Sequence, residues 1–288
     1  MPLLDNEKVI EMDPDADYLT RRITERAVRF IDANKDEPFF LFVPHPIPHA
    51  PLHVSPPFMA DVPDEIKAKL KEEKKVNYGL RTKLFRPAIS EIDWSVGQIL
   101  DALKKNGIDE NTVVMFTSDN GPAMGKAAPL RGRKGSTFEG GMREPTIIRW
   151  PGKIPAEKVT NEILHLVDIL PTFAKVAGYE TPTDRIIDGV DLWPVLANER
   201  ADLGERPLFF FHDYDVEAIR LGRWKLIDRN SHYPKNNWLQ RDNGLPLRGI
   251  AVAVVLQEMI DRNQVEKEDI WAARSANLEG RPGLHDVR

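Results

Sequence analysis

The chain has 288 residues, enough for one large domain or two smaller ones, and its 41% hydrophobic and 30% charged content is ordinary for a soluble globular protein. A formal net charge of -5 at pH 7 argues against a general nucleic-acid binder, which needs a basic face, and no apolar run approaches the ~20 residues that span a bilayer. Cysteine is absent, which excludes disulfides, zinc–thiolate sites and cysteine nucleophiles among these residues.

From Met1 to Asp17 the chain is acidic and lacks the basic and apolar regions of a signal peptide, so no export signal is expected there. Leu19, Ile23, Ala27, Phe30 and Ile31 recur at helical spacing and predict a helix over Tyr18 to Asn34. After Pro38, the unbroken run Phe39 to Val43 predicts a strand buried on both faces. A proline-rich loop, Pro44 to Pro57, carries His45, His49 and His53. The charged stretch Asp61 to Lys75 reads as surface. Phe85, Ala88, Ile89, Ile92, Val96, Ile99, Leu100 and Leu103 form the apolar stripe of a long helix from about Arg86 to Asn106, with Gly107 placed as its terminating glycine.

Thr112 to Thr117 predicts the next buried strand, and Ser118-Asp119-Asn120-Gly121 the turn at its carboxyl end. Ala123 to Gly141 is a glycine-rich basic loop, Pro145 to Trp150 another strand, and Val167 to Ala177 a helix despite Pro171. Strands alternating with helices predict a mainly parallel α/β sheet. After Asp202 the texture changes: Leu208 to His212, Glu217 to Leu221 and Trp224 to Ile227 are short strands, the last two joined by a hairpin at Gly222, and together predict a small antiparallel subdomain. The end mixes one helical pattern, Ile250 to Ile260, with a polar tail.

Three segments carry chemistry. Asp119 and Asn120 would present carboxylate and amide oxygens at the carboxyl edge of a sheet, where α/β enzymes bind ligands, and such oxygens suit a hard cation. Asp-Asn-Gly is also a common turn. The segment Leu130 to Gly141 sets Arg131, Arg133 and Lys134 among glycines and could hold an oxyanion, or be a solvated basic loop. It lacks the spacing of a phosphate-binding P-loop. In the histidine loop, His49 could act as a general acid or hydrogen-bond an anion. The prolines exclude a helical face of zinc ligands. A hard cation, a cationic anchor and a histidine together describe a site for an anionic ester.

The order of Pro38-Phe39-Phe40-Leu41, Pro48-His49-Ala50-Pro51-Leu52, Ile89-Ser90-Glu91-Ile92-Asp93, Thr117-Ser118-Asp119-Asn120-Gly121, Leu130-Arg131-Gly132-Arg133-Lys134-Gly135 and Glu139-Gly140-Gly141-Met142-Arg143-Glu144-Pro145 resembles the arylsulfatase family of type I sulfatases. Asp168-Ile169-Leu170-Pro171-Thr172, Asp188-Gly189-Val190-Asp191-Leu192, Ala218-Ile219-Arg220 and Trp224-Lys225-Leu226 continue it, so the resemblance runs from about Pro2 to Asp228. It implies an alkaline-phosphatase-like α/β sandwich followed by a small antiparallel domain. It implies hydrolysis of sulfuric esters by a formylglycine, made from Cys or Ser in a C/S-x-P-x-R motif, beside Ca²⁺ (Mg²⁺ less so). Carried over by residue, Asp119 and Asn120 resemble two calcium ligands, Lys134 the lysine that binds sulfate, and His49 the histidine on the sulfate or leaving group. Glu139 and Arg143 are expected to support the loop. His45 and His53 are read as lining the substrate cleft or sitting on the surface, with the surface favoured.

The pattern breaks at the nucleophile. Nothing in this sequence matches C/S-x-P-x-R, and Ser55-Pro56-Pro57-Phe58-Met59 lacks the arginine. The chain is therefore expected to be a carboxy-terminal portion, inactive alone: an incomplete catalytic domain over 1–201, part of the antiparallel subdomain over 202–229, and a divergent tail of no assigned role over 230–288. Phosphate or phosphonate ester hydrolysis by a superfamily relative, or a non-catalytic remnant, are the alternatives. The expected partner is a small-molecule or carbohydrate sulfate ester, with no nucleic acid and no membrane span. The resemblance implies a periplasmic, extracellular or lysosomal place. Nothing in the sequence sets an oligomeric state.

Overall fold

The computed structural model of the chain describes residues 2–212 and 215–227. The expected helix over 250–260, the tail over 230–288 and the last two positions of the 202–229 segment lie outside the described residues. The rest divides into two units, one running to Val114 and taking in Trp150–Gly152, the other comprising the remainder.

The first unit opens with a hairpin of β1 (Pro2–Asp5) and β2 (Lys8–Met12), paired antiparallel with a register shift at Leu3/Leu4. α1 (Leu19–Asn34) follows, then α2 (Asp64–Lys71), the single turn α3 (Tyr78–Arg81) and α4 (Phe85–Lys105). α1 and α4 pack on each other because each carries one apolar stripe. Their core is Ile31, Ala102 and Leu103, covered by Val28, Phe39, Leu41, Ile99, Leu100, Ile108 and Val114. Phe39 closes it with an edge contact to Phe30, ring centroids 5.7 Å apart. Gly107 stops α4 with φ 70, a conformation that costs a residue with a side chain energy.

The run Phe39 to Val43 is not a strand. Phe39 and Leu41 face the α1–α4 core, whereas Phe40 is 71% exposed and Phe42 74%. The alternation is that of a half-buried strand, but among the described residues no segment offers it a hydrogen-bonded neighbour, and backbone extension without a ladder is irregular chain.

The second unit contains β3 (Val114–Phe116, whose first residue belongs to the first unit), the single turn α5 (Glu139–Met142), β4 (Ile147–Arg149), α6 (Ile169–Val176), the single turn α7 (Trp193–Leu196), and β5 (Leu208–His212), β6 (Asp215–Leu221) and β7 (Trp224–Ile227). β3 pairs with β4, and β5-β6-β7 form an antiparallel meander. No sheet among the described residues exceeds three strands. The extended, mainly parallel sheet expected from the alternating elements is therefore not visible in them. The three short carboxy-terminal strands match their predicted ranges to within two residues. They are held by Ile219 and Leu221 under Phe209 and Leu226.

Pro171 sits inside α6 without breaking it because it occupies the first turn, where its missing N–H would have had no helical partner. Just before it, Asp168 is fully buried. Its carboxylate accepts the N–H of His165 at 2.7 Å and of Val190 at 3.0 Å, and pairs with both terminal nitrogens of Arg206. Thr172 donates to the Asp168 carbonyl at 2.6 Å and accepts the Leu192 N–H at 2.9 Å. The Asp168 to Thr172 and Asp188 to Leu192 motifs are thus two halves of one buried clamp.

Candidate active site

Ser118 to Gly121 leaves the end of β3, and Arg143 to Thr146 leads into β4. Two contacts fasten these segments side by side. Thr117 Oγ1 lies 2.8 Å from Thr146 Oγ1, and the Gly121 N–H donates to the Gly141 carbonyl at 2.9 Å. Only glycine permits the second contact, since a Cβ on Gly121 would stand 2.0 Å from the Gly140 carbonyl oxygen. The basic loop closes by the same device: Cβ atoms on Gly140 and Gly141 would fall 2.4 Å from Gly132 O and 2.2 Å from Ser136 O. The glycines of this loop serve close backbone packing.

Asp119 is exposed, and neither its carboxylate nor the Asn120 amide meets a protein partner among the described residues; the Ser118 hydroxyl donates to the Asn120 carbonyl at 3.3 Å. Between the two fastening contacts Asp119 faces the segment bearing Glu144. Burial, and then the charge of Asp119, push the Glu144 carboxyl above the usual glutamate range. Its Oε1 is buried without a hydrogen bond. Unpartnered carboxylate and amide oxygens with a second acidic group nearby fit a hard cation. Among the described residues, no three His, Cys, Asp or Glu converge as a complete metal site.

Over Leu130 to Gly141 the three cations differ in their contacts. Arg131 stacks over the Phe138 ring at 4.0 Å, and Arg133 donates to the Gly125 carbonyl at 2.5 Å. Lys134 is tied, among the described residues, through its backbone N–H, to Pro122 O at 3.4 Å, and its half-buried ammonium is not held as Arg131 and Arg133 are. In the first unit, His49 is exposed, with Nδ1 2.7 Å from the Ala50 carbonyl. A carbonyl only accepts, so Nδ1 carries a proton in this contact.

A profile of the sulfatase family matches residues 3–179, and one for the carboxy-terminal part of N-sulphoglucosamine sulphohydrolase matches residues 133–238. The chain belongs to the sulfatase family. It is 37% identical over 216 residues to N-acetylgalactosamine-6-sulfatase of Canis lupus familiaris, a match covering 72% of this chain and 38% of that protein. It is 34% identical over 229 residues to the steryl-sulfatase of Mus musculus, covering 76% and 34%. The chain thus spans little more than a third of the length of these curated relatives. Among solved structures it resembles Ps i-CgsB in complex with k-i-k-neocarrahexaose, with TM-score 0.67, 26% identity and coverage of 98% of this chain and 63% of that one. It also resembles the PsFucS1 sulfatase from Pseudoalteromonas sp., with TM-score 0.63, 27% identity and coverage of 76% and 42%.

Within each unit the sulfatase chain makes further contacts, some at residues that sequence reasoning cast as supports and some at residues it missed or misplaced. Glu139 is gripped by Arg220 at 2.5 Å and Lys225 at 3.0 Å, and Thr137 donates to buried Glu217 at 3.0 Å, so the meander anchors the basic loop. Arg143 is exposed; its backbone N–H closes α5 on the Glu139 carbonyl at 2.8 Å. His45 and His53 are not surface groups. His45 Nε2 meets Ser95 Oγ at 3.0 Å, Ser95 meets Thr24 at 2.6 Å, and burial lowers the His45 pKa. His53 Nδ1 donates to Asp17 at 2.7 Å beside Arg81, which also holds the Leu52 carbonyl at 3.1 Å. Glu91, fully buried, accepts the Ser55 N–H at 2.9 Å. Glu91 and Ser95 lie four apart on α4, so the one sequence signal was polar residues falling on the helix's apolar stripe.

Proposed function

We propose that the chain is part of a sulfuric ester hydrolase acting on a small-molecule or carbohydrate sulfate, in which Asp119 and Asn120 hold a calcium ion and Lys134 binds the sulfate. The observation that carries this reading is the division of labour in the loop. Arg131 and Arg133 are occupied, while Lys134, Asp119 and Asn120 keep free polar groups on backbones bound together by glycine contacts. Calcium, better suited than magnesium to a flexible set of oxygen donors, supplies positive charge against the sulfate oxygens when bound. Lys134 Nζ adds a compact charge that neutralises the anion and the oxygen on which charge develops as the ester bond breaks. His49, with Nδ1–H held by Ala50, would hydrogen-bond the sulfate or protonate the leaving oxygen only when Nε2 also carries a proton.

The nucleophile of this reading is a formylglycine, which no cysteine here can provide. The intact enzyme is proposed to be an alkaline-phosphatase-like sandwich with a mainly parallel sheet, placed in a periplasm, outside the cell or in a lysosome. Among the described residues no helix is long and apolar enough to cross a membrane. The test is turnover of 4-methylumbelliferyl sulfate and phosphate by the intact enzyme and by the 288-residue chain. Sulfate turnover by the intact enzyme, abolished by Lys134→Ala, with none above buffer by the chain alone, supports the reading. Preference for the phosphate moves the enzyme to the phosphoesterases of the same superfamily. Turnover by the chain alone overturns the missing nucleophile.

A further inference from the structure

Lys134 is the second residue of a tight turn. The Ser136 N–H donates to the Arg133 carbonyl at 3.1 Å, and Gly135, with φ 84, takes the position in such turns that favours glycine. The Ser136 hydroxyl donates to the same carbonyl at 2.8 Å. These contacts fix the shape of the turn. Where the turn stands depends on what moors the chain that leaves it.

The next residue, Thr137, is buried, and its hydroxyl donates at 3.0 Å to the carboxylate of Glu217, 80 residues further on in β6. Glu217 is itself buried, at 5% exposure. Its other oxygen, Oε1, has no hydrogen-bond partner among the described residues. A buried carboxyl group left half-satisfied opposes folding, and native structures seldom keep one without a reason. Packing does not supply the reason, since an apolar side chain of similar volume would fill the same space without that cost. What such a side chain would lack is the acceptor for Thr137. Glu139, two residues beyond, is also held, by Arg220 and Lys225. Thr137 is the mooring nearer to Lys134, and its burial shields the hydrogen bond from competing water.

We propose that Glu217 is a positioning residue for Lys134: through Thr137 it holds the turn that presents the lysine to sulfate. The inference rests on the reading of Lys134 as the sulfate-binding cation, and adds that the carboxy-terminal meander sets where that charge stands. Placement matters because moving a catalytic group by about 1 Å can cost on the order of 100-fold in rate.

The test is kcat and KM for 4-methylumbelliferyl sulfate, with the melting temperature of each protein. It compares the intact enzyme with Thr137→Val, Thr137→Ser, Glu217→Gln, Glu217→Met and Lys134→Ala. Thr137→Val keeps the shape and removes the donor, so kcat/KM should fall about ten-fold or more. Thr137→Ser keeps a donor hydroxyl and Glu217→Gln an acceptor oxygen, so both should stay within about three-fold of wild type. Glu217→Met removes the acceptor and should behave as Thr137→Val, which decides the matter if the valine variant does not fold. A residue that only supported the fold would lower the melting temperature and leave kcat/KM of the folded enzyme unchanged. Wild-type kcat/KM in Thr137→Val and Glu217→Met, with activity lost in Lys134→Ala, therefore overturns the positioning role and leaves the reading of Lys134 standing. Equal losses in Thr137→Val and Thr137→Ser overturn the positioning role as well. Wild-type activity in Lys134→Ala overturns both.

Discussion

Gly121→Ala tests the geometry of the site with a single methyl group. The new Cβ would lie 2.0 Å from Gly140 O, 2.8 Å from Gly140 C and 2.9 Å from Gly141 Cα, all backbone atoms with no flexible end to swing aside. Restoring a bare 3.0 Å contact with the carbonyl oxygen requires the segments to part by about 1 Å. The Gly121 N–H to Gly141 O bond, 2.9 Å now, would then be broken, leaving a buried donor unpaired at a cost of about 1–3 kcal/mol. At about 2–4 °C per kcal/mol, melting should fall by several degrees. Metal–ligand distances tolerate only about 0.2 Å, so a 1 Å displacement of Asp119 and Asn120 should weaken calcium binding at least ten-fold. Gly97→Ala is the matched control: nothing lies within 4 Å of its Cβ, mid-α4, so it should stabilise by about 0.5–1 kcal/mol and leave calcium binding unchanged. The assay is differential scanning calorimetry with and without CaCl2. A Gly121→Ala chain with wild-type melting and wild-type calcium response would refute the reasoning.

Asp168→Ala should cost about 3–5 kcal/mol, because it strands the Arg206 guanidinium and two backbone N–H groups around a fully buried position; urea unfolding measures it, and a cost under about 1 kcal/mol contradicts the clamp. His45 gives a pH signature. Its folded pKa lies below 6.5, so the unfolded chain takes the proton first, and stability should fall as pH drops from 6.5 toward the folded value, then level off. Melting temperatures of wild type and His45→Gln across that window should converge at the acid end. Leu103→Ala, in the α1–α4 core, should cost about 2–5 kcal/mol by urea unfolding, whereas Phe40→Ala, on an exposed ring, should change stability little.

The helices were legible in the sequence because their information is local. The apolar spacing of α1 and α4, and Gly107 at the end of α4, give boundaries within one residue of those found. The meander was legible for the same reason, each strand lying within a few residues of its partner. Phe39 to Val43 was not, since whether such a run becomes a strand depends on a neighbour elsewhere in the chain. For the site, residue types indicated oxygen donors at Asp119 and Asn120 and a cationic anchor at Lys134. They could not say that Arg131 and Arg133 are engaged, which depends on Phe138 and a carbonyl folding back on them. The half-buried histidines were misread because the polar groups that receive them, Ser95 and Asp17, lie on other elements.

The central claim is that Asp119 and Asn120 hold a divalent cation beside the Lys134 loop. Equilibrium dialysis of the purified 288-residue chain against calcium measures it directly, with an Asp119→Ala, Asn120→Ala double variant in parallel. The account predicts calcium retained by wild type and lost from the double variant while its fold, followed by circular dichroism, is kept. Equal retention by both, or none by either, would contradict it.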